Sequence, residues 1–128
     1  MPEPESGPGG LIEATLELKT AQAAGIVFCR ASSANFSFGL LALLDAARGE
    51  VALLQLPKFL PLQKRQWPVS RSGPHRLRVI FVEGMVEVYV DDCLILNHFA
   101  ANATGGSTGL FIQDGEAVVQ NISWRGLR

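Results

Sequence analysis

The run "HRLRVIFVEGMVEVYVDDCLIL", residues 75–96, alternates apolar with charged residues, breaks at a glycine, and resumes. A period of two over that length commits the chain to half-buried β-strands, because successive side chains of a strand point to opposite faces. Leu77, Val79 and Phe81 share one face of the first strand; Val86, Val88 and Val90 share one face of the second. The "EG" between them signals a tight hairpin, and "DD" a further turn before "CLILNHF".

The same logic extends along the chain. "LIEATLELKT" (11–20) sets Ile12, Ala14, Leu16 and Leu18 against Glu13, Thr15, Glu17 and Lys19. "AGIVFCRA" (24–31) places Ile26, Phe28 and Arg30 on one face. "FSFGLLALLDAARGEVALLQL" (36–56) fits a short helix over 40–47 or a strand–turn–strand, and the turn residues of "DAARGE" favour the latter. Pro57, Pro61, Pro68 and Pro74 exclude a central strand between 57 and 74. "GLFIQ" (109–113), the turn "DGE" and "AVVQNISW" (117–124) complete the series. Short strands separated by turn signals, with no clear helix, predict an all-β, two-sheet antiparallel sandwich.

A chain of 128 residues suits one domain with one core. "MPEPESGPGG" (1–10) reads as a flexible leader and 11–128 as a single sandwich domain. No basic segment followed by an apolar one opens the sequence, so no signal peptide is expected. Apolar runs are only strand-sized, which argues against a membrane span. A net charge of −1 with interspersed signs argues against a nucleic-acid partner. The most basic stretch, "QKRQWPVSRSGPHRLR" (63–78), reads as a solvated loop in which Trp67 is available to stack on a ring. Cys29 and Cys93 are too few for a disulfide framework or a zinc site. Two buried free thiols are expected, with a single bridge as the alternative, and neither a metal nor a cofactor.

Catalytic signatures are missing. His75 and His98 accompany no nucleophile elbow, no His-Glu-x-x-His and no phosphate loop. Adjacent Asp91 and Asp92 read as a turn, as do Asp114 and Glu116 around Gly115, with Asp114 kept as a candidate sugar contact. Binding is better supported. Arg30 ends an apolar strand, where a charge needs a partner or a ligand. If the first two strands pair, Glu13 meets Arg30, and the two can grip vicinal hydroxyls or form an ordinary cross-strand ion pair.

"HRLRVIFVEGMVEVYVDDCLIL" followed by "TGLFIQDGEAVVQNISWRGL" resembles the carboxy-terminal β-sandwich module of glycoside hydrolase family 32, the invertases, inulinases and levanases. Glu87 to Asp92 match its "EVFVND" stretch, and Gly109, Leu110, Phe111, Gly115, Ala117 and Trp124 its closing strands. Upstream, "AGIVFCRA" through "LLDAARGEVALL" is similar both to that module and to fructan-binding modules of carbohydrate-binding family 66. The chain departs from these patterns at "VEGM" (82–85) and "VVQNIS" (118–123). The resemblance implies a concanavalin-like jelly roll, without catalytic residues, that binds fructan or braces the catalytic domain of a parent hydrolase. It implies Glu13 and Arg30 as the residues holding a terminal fructose; Trp67, available to cover an apolar ring face, and Asp114 remain further candidate contacts. A structural or protein-docking sandwich without a sugar site is the alternative. The implied setting is extracellular; Asn35, Asn102 and Asn121 head sequons, which a secreted eukaryotic protein would use and a bacterial one would carry by chance.

Overall fold

The computed structural model describes residues 9–33 and 36–127. Among the described residues ten strands run in chain order: β1 (Gly9–Glu17), β2 (Ala23–Ser33), β3 (Phe36–Asp45), β4 (Glu50–Leu56), β5 (Leu60–Gln66), β6 (His75–Val82), β7 (Met85–Val90), β8 (Cys93–Phe99), β9 (Ser107–Gln113) and β10 (Val118–Leu127). They form two five-stranded sheets, ordered β10-β1-β6-β7-β8 and β5-β4-β3-β2-β9. Every pairing is antiparallel. The all-β, two-sheet sandwich expected from the sequence is the fold observed.

Alternation builds the core. Ile12, Ala14 and Leu16 of β1, Leu77, Val79 and Phe81 of β6, and Val86, Val88 and Val90 of β7 face inward from the first sheet and are buried. Ala24, Ile26 and Phe28 of β2, Leu40, Ala42 and Leu44 of β3, and Val51 and Leu53 of β4 meet them from the second. Phe28 and Phe81 stack across the interior with ring centroids 5.9 Å apart.

The hairpin turns fall where the sequence places them. Glu83 and Gly84 have φ of 47° and 90°, Asp91 and Asp92 φ of 52° and 69°. Two successive positive φ values are the requirement of a tight hairpin turn whose twist matches the flanking strands. Asp91 also seals the β6 end: its Oδ1 accepts from the Arg76 N–H at 2.9 Å, and its Oδ2 lies 2.8 Å from His75 Nδ1. His75 Nε2 accepts from the Ser70 N–H at 2.9 Å, so the ring proton sits on Nδ1 and is donated to Asp91. The buried histidine is thus a structural clasp.

Segment 36–56 is strand–turn–strand, with no helix. The proline-rich segment contains β5, so residues 63–66, expected as part of a solvated loop, are strand. β5 is an edge strand, where Pro61 sits opposite Leu54 beside a register shift. β1 starts at Gly9, so "GG" belongs to a strand; residues 1–8 lie outside the described residues. Asn102 and Asn121 are exposed, and Asn35 lies outside the described residues.

The cysteines correct one expectation. Cys29 is buried and Cys93 exposed, both as free thiols. Cys93 follows directly on the Asp91–Asp92 turn at the start of an edge strand, which leaves it open to solvent. Burial pushes the Cys29 thiol up to about 11, so it stays protonated at mildly alkaline pH, and only the thiolate is nucleophilic. At pH 8 a thiol reagent is expected to label one site per native chain and two after denaturation. Cys93→Ser should abolish the native signal; labelling of the folded Cys93→Ser protein would contradict the assignment.

Candidate functional site

Strands β1 and β2 do not pair. β1 lies between β10 and β6 in one sheet, and β2 lies between β3 and β9 in the other. Glu13 therefore never meets Arg30. It lies opposite Arg78 on the outer face of its own sheet, and its Oε2 accepts from Nε and Nη2 of Arg78, each at 2.9 Å. Arg78 also reaches Asp92 at 3.2 Å and lies 5.7 Å from the Tyr89 ring centre. Glu13 is one member of a surface ion network, the cross-strand alternative, though with a different partner.

Arg30 is not on the face of Ile26 and Phe28. The β2 register shifts between Phe28 and Ala31, and Cys29 there has φ of 54°. Such a bulge puts one extra residue into the strand and reverses the alternation beyond it. Cys29 takes the inward place and Arg30 turns outward to solvent. Trp67 is half-buried against the core, its backbone N–H bonded to the Gly49 carbonyl at 3.0 Å. Asp114 is exposed in the β9–β10 turn with φ of 53°, beside Gly115, which abuts the Thr20 backbone. The four candidates occupy four separate places.

A different set of residues converges on the outer face of the second sheet. From β3 come Leu41, Leu43 and Asp45, from β4 Glu50, Ala52 and Leu54, and from β9 Phe111 and Gln113. Pairing sets Leu41 opposite Leu54, Leu43 opposite Ala52 and Asp45 opposite Glu50, so each pair shares this face. Together with Phe59, Pro61, Lys64, Arg48 and Gln22 they line a groove of about 700 Å³. Ligand sites usually span roughly 300–1,000 Å³, so the size fits a small oligomer or a chain end.

The groove has an apolar floor and a polar rim. Leu41, Leu43, Ala52 and Leu54 are buried although they lie outside the main core. Phe59, in the β4–β5 turn, arches to Phe111 on the far edge strand, with ring centroids 5.5 Å apart at 54°. The rim charges are partly committed: Asp45 Oδ1 accepts from the Arg48 N–H at 3.0 Å, and Glu50 lies 3.8 Å from Lys64. Gln22, Gln113 and the exposed guanidinium of Arg48 add hydrogen-bonding capacity. The arrangement can hold an apolar ring face against Phe59 and Phe111 while rim groups address hydroxyls. Among the described residues, no group of three or more His, Cys, Asp or Glu is placed to hold a metal ion.

The sequence carries one signal of this face. "LLALL" and "VALL" are continuous apolar runs, the pattern of strands covered on both sides. Phe59 and Phe111 are 52 positions apart in the chain, and no local pattern links them.

No protein-family model matches the chain, and no curated protein matches it. Solved structures do. A carbohydrate-binding module, CBM66, from Bacillus subtilis superposes with a TM-score of 0.82 at 21% identity, over 94% of this chain and 76% of that one. A Bacillus subtilis protein of unknown function with a galectin-like fold gives 0.72 at 12% identity, over 94% and 72%. Sheep galectin-11, determined with glycerol, gives 0.61 at 15% identity, over 92% and 90%. The likeness is one of fold: this chain is a β-sandwich of the shape shared by that module and by galectins.

Proposed function

We propose that this chain is a non-catalytic carbohydrate-binding domain whose ligand site is the groove on β5-β4-β3-β2-β9. The observation that carries the reading is the groove itself, an apolar floor under an aromatic pair with a rim of charged and amide groups. Sugars present an apolar ring face and a polar circumference, and aromatic rings against the first combine with planar donors and acceptors against the second. Superposition on a carbohydrate-binding module and a galectin supports the choice of ligand class. Within that class we propose a plant or bacterial polysaccharide such as a fructan, with the domain attached to a secreted hydrolase that it holds on polymer. The Glu13–Arg30 clamp has no part in this site, since the two residues lie on different sheets.

A second reading rests on the flank where the two sheets end in the edge strands β9 and β10. Leu110, Ile112, Val118 and Ile122 are exposed there, and Ile12, Ala14 and Ile26 of the core line a slot of about 320 Å³ beside Leu110 and Ile122. The opposite flank is closed, with Arg65 Nη1 donating to the Ile95 carbonyl at 3.3 Å and tying β5 to β8. An open apolar flank suits docking against the catalytic domain of a parent hydrolase.

Calorimetric titration of the purified domain against levan, inulin, β-glucan, xylan, galactan and pectic oligosaccharides tests the first reading. Saturable binding to a member of the panel is expected, weakened about two- to ten-fold by Phe111→Ala, since an aromatic contact is worth about 0.5–1.5 kcal/mol. Binding indifferent to Phe111→Ala would move the site elsewhere. No binding to any member would leave the docking role.

A further inference from the structure

We propose that Arg30 forms an anion-binding subsite at the head of the groove and selects ligands bearing a carboxylate, such as uronic or sialic acid units. The inference rests on the groove being the sugar site. Positions 107, 109, 111 and 113 of β9 all face the groove side by alternation. Phe111 and Gln113 line it, and Gly109 lies one step further up. The Arg30 side chain lies over that glycine. A side-chain carbon built on Gly109 would be 3.8, 3.9 and 4.0 Å from Nη2, Nη1 and Cζ of Arg30. Near-equal distances to three atoms mean that the guanidinium plane lies flat over the glycine.

Its direction is fixed as well. Ser107 Oγ accepts from Arg30 Nε at 3.2 Å and donates to the Arg30 carbonyl at 3.3 Å, which holds the stem at the Ser107 end. Nε thus faces Ser107, and the two Nη groups lie over Gly109, towards Phe111. Among the described residues no carboxylate pairs with Arg30, whereas Arg76 and Arg78 are both paired. A preoriented planar fork without a counter-ion matches a carboxylate in a bidentate pair, the strongest arrangement open to it. The bulge at Cys29 is what delivers this: in an unbroken strand the same side chain would point into the core.

The experiment pairs each acid with its neutral counterpart. Oligogalacturonate, alginate oligomers, hyaluronan fragments and sialyllactose are titrated against their methyl-esterified or carboxyl-reduced forms. At least one acid should bind about ten-fold or more tightly than its partner, with an affinity that falls as salt is raised. Arg30→Gln should erase the difference between each acid and its neutral partner, while Arg30→Lys keeps part of it. Equal affinity within every pair, or a preference that survives Arg30→Gln, overturns the subsite. Neutral ligands bound in a Phe111-dependent way would in that case leave the groove assignment standing. Silence towards acids and neutral forms alike would overturn the subsite, and binding of the neutral polysaccharides above would then decide the groove separately.

Discussion

Gly25→Ala should destabilise the domain by about 3 kcal/mol or more, lowering Tm by about 10 °C or more, although the change adds a single methyl group. Gly25 lies in β2 between β3 and β9, opposite Leu43 on one side and Phe111 on the other. A Cβ there would stand 2.0 Å from the Ala42 carbonyl oxygen and 3.0 Å from the Leu43 Cα. Those obstacles are backbone atoms of a central strand, so no side chain can rotate away. Relief requires β2 and β3 to part in the middle of the sheet that carries the groove. Gly49→Ala is the control: nothing lies within 4 Å of its added carbon, and only the φ of 64° opposes it. That costs about 1–2 kcal/mol. Denaturant unfolding of both variants checks the contrast, and equal losses would mean that the strand approach is not limiting.

How far the sequence disclosed this molecule depends on the range of the signal. The β6–β7–β8 meander is legible because its pattern is local: period-two alternation, then Glu83-Gly84 and Asp91-Asp92 at positions that need positive φ. "LLALL" looks helical for a physical reason, since the outer face of β3 is a groove floor and not a solvated surface. Leader and strand are confused at "GG" because glycine permits flexibility and also close approach. A Cβ on Gly10 would stand 2.8 Å from Cζ of Phe81, so the residue is small in order to be packed over.

The site was less legible. Placing Glu13 beside Arg30 assumed that neighbouring strands pair, which consecutive strands often do. Here the chain crosses to the other sheet between β1 and β2. The Cys29 bulge carries no sequence mark, because its left-handed residue is neither glycine nor asparagine. It alone decides whether Arg30 points inward or outward. The groove draws on β3, β4, β5 and β9 together, so only the assembled sheet reveals it.

Phe28→Ala should cost about 3–5 kcal/mol, the range for removing a large buried aromatic side chain. Phe28 has no exposure, and its ring stacks on Phe81 of the opposite sheet at 5.9 Å and 26°. The expected stability of a domain this size is about 5–15 kcal/mol, so the variant approaches the limit of folding. The milder Phe28→Leu and Phe81→Leu, alone and combined, isolate the coupling. A stacked pair is worth about 0.5–1.5 kcal/mol beyond its burial, so the double variant should lose less than the sum of the singles by that amount. Additive losses would mean that the sheets are held by aliphatic packing alone. Coupling would have a consequence for the site: Phe28 immediately precedes the bulge that turns Arg30 outward. The inter-sheet stack then anchors the strand at the point where its alternation reverses, and Phe28→Leu should lower affinity at the groove head more than Phe81→Leu does.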